Sequence, residues 1–442
     1  MKKVDLTKGN VLKVLTNLSI PIMGSSFLQF LYGLIDMLWV GALGSYAITV
    51  VGSSSFFTGL GYSINSIVVI GTGIKVAHSI GKKEDKNVKE YINIGLVINL
   101  IIGLIYLMVL IFLGTYFIGF LSLGNARIER DSYIYLVICA PMLFLSFFNT
   151  LYIRILNSFG NNKISLKISA IGIGLNMILD PVLIYILNFG VLGAALATLI
   201  ANLTMFILFN IESWEIVKFK LSVGLNYKKG AEIIRLGFPM AMQRIIFTLV
   251  NIVIARIIAG FGDNAIAAQK IGLQIESVSY MIIGGLNGAV SSFTGQNFGA
   301  KKYRRVNDGY KTTLKIGAVY SIVVSTIFIV FSSDLAGIFV NNESTVFMAS
   351  NYLKILGASQ FFSMIEMVSN GVFTGIGKPK IPSIISIIFT TSRIPIALIL
   401  INYFGLNGIW LSFAISSMLK GITAILIYRF KIYKGLIAKG FI

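Results

Sequence analysis

The sequence predicts an all-α integral membrane protein, with twelve transmembrane helices in two six-helix bundles related by a parallel internal repeat. Three observations predict it. The 442 residues are 56% hydrophobic and only 12% charged, with a mean hydropathy of +0.85, too apolar for a soluble globule. Apolar runs of about 20 residues, enough to cross a bilayer, recur twelve times, and landmarks of the first half return at a constant offset in the second.

The runs fall near 14–40, 47–74, 91–118, 132–156, 164–187, 190–212, 233–258, 265–290, 311–332, 347–373, 381–402 and 407–430. Their connections separate by charge. One set carries Lys82, Lys83, Lys86 and Lys89, then Lys163 and Lys167, Lys218, Lys220, Lys228 and Lys229, Lys301, Lys302, Arg304 and Arg305, and Lys378 and Lys380. The opposite set has only Arg127 and Arg130 among basic residues, so both termini are expected in the cytoplasm of a multi-pass plasma-membrane protein. The basic start MKKVDLTKGNVLKV lacks a small-residue cleavage site and reads as leading into a retained first helix.

The separation of Pro21 from Pro239 is repeated without change by Gly44 and Gly262, by Ala47 and Ala265, and by Gly81 and Gly299. Later landmarks keep nearly that offset: NSFGNNKI (157–164) faces TGIGKPKI (374–381), and FGVLGAALA (189–197) faces FGLNGIWLS (404–412). Six spans per half give the halves one orientation, a transporter architecture with the substrate path expected between the bundles. The domains are therefore 1–212 (spans 1–6), a cytoplasmic linker at 213–232, and 233–442 (spans 7–12).

Several function classes are excluded. One cysteine, Cys139, allows no internal disulfide or cysteine metal cluster, and one histidine, His78, leaves no zinc or haem constellation. The net charge of +20 sits in short loops, where it sets orientation and meets anionic headgroups rather than nucleic acid. GIGKPK (375–380) lacks the Ser or Thr and the preceding strand of a phosphate-binding loop. No cofactor is expected.

The residues that could carry chemistry are intramembrane acids, because a carboxylate at the bilayer centre costs about 2.5–3.5 kcal/mol and is a functional candidate by default. Asp36 lies in LYGLIDMLWVGALG near the outward end of the first span, and Asp180 in GIGLNMILDPVLI at similar depth in the fifth. Tyr32 and Asn176 each precede an acid by four residues, on the same helical face. Pro181 frees a carbonyl one turn back, a candidate cation ligand. Two neighbouring carboxylates in low dielectric cannot both stay charged cheaply, so a proton or Na+ is expected to neutralise them. The positions of the second half that answer to them are Ile254 and the region of Arg393 and Ile394, so the acids serve the first half alone. Glu276 and Glu366, on spans 8 and 10, could line a substrate cavity or pair with a base such as Arg244, Lys270 or Arg393. Gln243 is a further polar cavity candidate.

The chain also resembles the multidrug and toxic compound extrusion (MATE) transporters. The resemblance runs through LIDMLWVGALGSYA, AHSIGKKE, NMILDPVLI with GVLGAALAT, LGFPMAMQ, GDNAIAAQKIGLQIES, TGQNFGAKKYRR and GIGKPKIP, over nearly the whole sequence. It implies two six-helix lobes around a V-shaped cavity and efflux of organic cations and drugs in exchange for H+ or Na+. In the branch with its cation site in the N-terminal lobe, the family positions match Asp36, Asn176 and Asp180, with Tyr32, Tyr135 and Thr198 nearby. The branch with a C-lobe site has an acid on the seventh helix, where this chain has Gln243.

The reading is a cation-coupled multidrug efflux antiporter working as a monomer, not an enzyme, with Na+ or H+ held at Asp36, Asn176 and Asp180. The alternative is a lipid or lipid-linked oligosaccharide flippase of the same superfamily, for which Arg244, Arg256 and Arg393 leave room. A membrane-embedded enzyme ranks below both, since no acidic metal motif, His pair or nucleophile cluster supports it.

Overall fold

Residues 4–121, 123–217 and 224–434 are described by the structure, a computed structural model. The chain is helical throughout: α1 (Val11–Gly41), α2 (Ser45–Gly81), α3 (Asp85–Phe120), α4 (Ala126–Ser158), α5 (Asn162–Pro181), α6 (Val191–Val217), α7 (Tyr227–Ala259), α8 (Asp263–Gly299), α9 (Tyr303–Val330), α10 (Ser332–Gly337), α11 (Glu343–Gly375), α12 (Lys380–Thr391), α13 (Arg393–Phe404) and α14 (Leu406–Ile427). Among the described residues, ten helical stretches are long and apolar enough to cross a membrane, with α12 and α13 counted as one. Helices α8 and α11 match them in length, but Lys270 and Glu276 in the one and Lys354 and Glu366 in the other dilute the apolar content.

Helix ends differ from the apolar runs in instructive places. The linker expected at 213–232 is taken up from both sides, by α6 as far as Val217 and by α7 from Tyr227, while 218–223 lie outside the described residues. Polar helix ends in water look like loops on a hydropathy reading, though backbone bonding carries the helix through them. The run 381–402 is two helices that part at Ser392, because Pro395 offers no amide to the Thr391 carbonyl. Pro181 ends α5 similarly, and the chain passes into a π-helical turn at Val182–Ile186 in which Leu187 N donates to Val182 O at 2.9 Å.

The described chain forms two compact units. Unit 1 contains Met1–Asp5 and Gly24–Ala241; unit 2 contains Leu6–Met23 and Met242–Ile442. The boundaries before Gly24 and before Met242 both fall inside a helix, three residues after a proline, and they are separated by the same offset as the prolines. In unit 1, α4 packs on α2, α3 and α6 and puts Leu136, Phe147, Leu151 and Ile155 at the core. In unit 2, α11 takes that place against α8, α9 and α14, with Tyr352 and Trp410 fully buried edge to face. Lipid is as apolar as leucine, so close packing rather than water exclusion holds such helices together. The first turns of α7 show this in unit 1. A Cβ on Gly237 would overlap the Ile67 carbonyl of α2, and one on Gly71 the Ile233 carbonyl of α7. The contact is fastened at one end by Lys75 with Glu232 at 2.5 Å, by Tyr91 OH donating to Glu232 at 2.6 Å, and by Lys229 with Glu90.

Backbone conformation returns with the sequence offset. Gly44 and Gly262 both have φ of 92° and Lys83 and Lys301 have 61° and 58°, while Gly160 and Gly377, one residue short of that offset, have 76° and 78°. Helices α2 and α8 are each 37 residues long and begin at equivalent positions of the two halves, Ser45 and Asp263.

Candidate cation site in unit 1

Three elements of unit 1 bring the polar residues together. The part of α1 that belongs to unit 1 carries Tyr32 and Asp36 one turn apart, the buried face of α5 carries Asn176 and Asp180 one turn apart, and α6 carries Thr198. Tyr32 OH and Thr198 Oγ1 are 3.1 Å apart, and since the Thr198 hydroxyl already donates to Ala194 O at 3.0 Å, the tyrosine is the donor. The Asn176 amide satisfies both its ends when its oxygen accepts from Thr198 N at 3.1 Å and its nitrogen donates to Asp180 Oδ2 at 3.2 Å. Asn202, one turn beyond Thr198, donates to the Thr198 carbonyl at 2.9 Å and receives Asn149 Nδ2 from α4.

Asp180 is fully buried and Asp36 half-buried, and the Asp36 carboxylate lies within electrostatic range of Asp180. Among the described residues, neither forms an ion pair with a base, and Asp36 makes no hydrogen bond. Tyr135, on α4, lies within electrostatic range of Asp36, Tyr32 and Cys139. Of the six residues expected at the cation site, Tyr32, Thr198, Asn176 and Asp180 are joined by hydrogen bonds, and Asp36 and Tyr135 stand within electrostatic range of them. Carboxylate and hydroxyl oxygens suit a proton or a hard cation, and among the described residues no group of three or more His, Cys, Asp or Glu is placed to hold a metal ion. Cys139, Asn149 and Asn202 were missed by the sequence reading. The signal for the two asparagines was an uncompensated polar side chain in an apolar run.

The three cavity candidates stand elsewhere, in unit 2. Glu276 accepts from Tyr352 OH at 2.9 Å, with Tyr280 and Arg393 in electrostatic range. Glu366 faces Lys420 at 4.0 Å, a base of α14 outside the set expected for it, and both side chains are nearly buried. Gln243, on α7, keeps a buried Oε1 without a partner among the described residues. Of the three arginines that leave room for a flippase, Arg393 is engaged by Ser416 at 3.1 Å and by the Phe413 ring, while Arg244 and Arg256 lie on exposed faces of α7.

The MatE family model matches residues 21–182 and again residues 239–399. The chain belongs to the MatE family. The two matched segments start at Pro21 and Pro239, the prolines that mark the sequence offset. Multidrug export protein MepA of Staphylococcus aureus is 25% identical over 427 residues, which cover 95% of this chain and 94% of that protein. The probable multidrug resistance protein NorM of Thermotoga maritima is 27% identical over 415 residues, covering 90% and 88%. The solved outward-facing structure of a multidrug resistance MATE family transporter of the MOP superfamily superposes with a TM-score of 0.90 at 24% identity, covering 98% of each chain, and shares this fold. This MatE protein is thus a multi-pass membrane protein.

Proposed function

We propose that this MatE protein is a multidrug efflux antiporter of the plasma membrane that exports organic, often cationic, compounds in exchange for H+ or Na+ taken up at Asp36, Asp180 and Asn176, with Tyr32, Tyr135 and Thr198 around them. The export half of the reading rests on MepA and NorM, which the chain matches over nearly its whole length. The coupling half rests on one observation: two acids of unit 1 lie within electrostatic range of each other and, among the described residues, neither is ion-paired with a base. A buried charge is normally paired, and removing its partner is strongly destabilising. Two acids without a resident base among the described residues are therefore suited to a cation that comes and goes. In unit 2 the corresponding need is met from within, by Lys420 for Glu366 and by Tyr352 for Glu276. We read twelve spans from the ten apolar stretches together with α8 and α11, two halves from the constant sequence offset, and cytoplasmic termini from the basic connections.

Coupling then requires only that cation and drug favour different conformations, since each ligand shifts the equilibrium by its differential affinity. Loading the cation neutralises the pair, and rearrangement of the outer part of α1 and of the π turn after Pro181 follows from the removed repulsion. The test is uptake of a fluorescent organic cation into proteoliposomes, under a pH gradient and a Na+ gradient imposed separately. One gradient is expected to drive transport, and Asp36→Asn to abolish the drive while the protein keeps its melting temperature. Gradient-driven transport by Asp36→Asn at the parent rate would remove the assignment.

A further inference from the structure

The buried face of α5 continues past the cation site to the other end of the helix. Its buried residues are Asn162, Ser165, Ile168, Ser169, Gly172, Ile173, Asn176 and Asp180, so a polar or side-chain-free position recurs every three or four residues over about 27 Å. Ser165 and Ser169 are 3% and 1% exposed, and neither hydroxyl has a hydrogen-bond partner among the described residues. That is unusual for this chain. Ser54, Ser63 and Ser383 return their hydroxyls to the carbonyl one turn back, the usual solution for serine in an apolar helix.

A second helix supplies an independent sign. Ser213 of α6 is 1% exposed and its hydroxyl is likewise without a partner among the described residues. The helices run antiparallel, with Asn176 beside Thr198, Gly172 under Met205, and Lys167 bonded to Glu212 at 2.9 Å, a register that brings Ser213 level with Ser165. Three buried hydroxyls from two packed helices thus lie on the Asn162 side of the Asp180 carboxylate, Ser213 at the level of Ser165. Buried polar groups in a membrane must find a partner, water or an ion. One apolar layer lies between them and the carboxylate, where the thioether of Met205 fills the notch left by Gly172. An unbranched methionine is the side chain most easily swung aside.

We propose that this face of α5, with Ser213, is a hydrated path inside unit 1 along which the coupling cation leaves the Asp36–Asp180 site toward the end that carries Lys163 and Lys167, with Met205 as its gate. The cation and the drug then need not share an exit. The inference rests on the coupling proposed above, and the two fail separately in the experiment.

Ser165→Cys and Ser169→Cys are each treated, in proteoliposomes, with a small water-soluble methanethiosulfonate, beside Leu151→Cys, an equally buried apolar position on α4 and off that face, and the parent, whose single cysteine Cys139 is buried. Both serine positions are expected to react at least tenfold faster than Leu151→Cys and the parent. The double variant Ser165→Val, Ser169→Val is expected to bind the organic cation within about twofold of the parent while drug-driven movement of H+ or Na+, read with a pH dye and radioactive sodium, falls at least tenfold. Labelling no faster than the controls overturns the path, and so does undiminished ion movement in the double variant. A parent that moves no ion with drug overturns the coupling instead, and the labelling rates still report on the path.

Discussion

Replacing Asp180 by Asn keeps the shape of the site and removes one of its two charges. Asn176 keeps an acceptor for its amide nitrogen, so the fold should survive with a melting temperature within a few degrees of the parent, while gradient-driven uptake in proteoliposomes falls at least tenfold. Thr198→Val tests positioning: it removes the acceptor of the Tyr32 hydroxyl but leaves the backbone amide that Asn176 uses. The expected result is a weaker apparent affinity for the coupling ion with the maximal rate nearly kept, read from the dependence of uptake on ion concentration. In unit 2, Lys420→Met leaves Glu366 buried without its base. Breaking a buried pair costs about 3–5 kcal/mol, whereas replacing both partners by apolar residues is often neutral, so thermal unfolding in detergent should fall steeply for the single variant and recover in Lys420→Met, Glu366→Met. Spacing along one helix gave the Tyr32–Asp36 and Asn176–Asp180 pairs, and similar depth in the spans suggested that the two acids are neighbours, whereas Tyr135 and Thr198 joined them only through the family resemblance. The partner of Glu366 was not legible, because which of several bases meets an acid is decided by the packing of distant helices. Lys420 itself stood in view as a charge inside an apolar run.

At the scale of the helix, the junction of α2 with the start of α7 depends on the missing side chains of Gly71 and Gly237. Gly237→Val forces backbones apart and should cost about 1–3 kcal/mol, the usual range for overpacking, seen as a lower melting temperature. Gly33, where an added Cβ meets nothing within 4 Å, is the control and should tolerate Ala. Most elements were legible because apolar length marks a span directly. The exceptions have physical reasons. The six-residue α10 lies where a loop was expected, too short to register as a hydropathy feature. The extents of α6 and α7 were underestimated because their outer turns are polar, and the parting of α12 from α13 rests on one missing amide at Pro395.

For the whole molecule, the constant offset between the halves was the most informative feature of the sequence, and matched left-handed backbone positions accompany it at Gly44 and Gly262 and at Lys83 and Lys301. The bounds of the compact units fall inside helices: α1 starts in unit 2 and finishes in unit 1, and α7 does the reverse. Each unit is therefore built from two separate pieces of chain, which bears on how such proteins can be recombined. A hybrid of this chain and a relative such as NorM, joined within 218–226, grafts the first turns of α7 onto a foreign α2 and residues 6–23 onto a foreign α8. One with three seams, after residues 5, 23 and 241, exchanges each unit entire. The three-seam hybrid is expected to accumulate in the membrane and run as a monodisperse species in detergent, and the linker hybrid to be degraded. Recombination points that have survived in natural hybrids of this family should then lie inside its helices, next to their prolines.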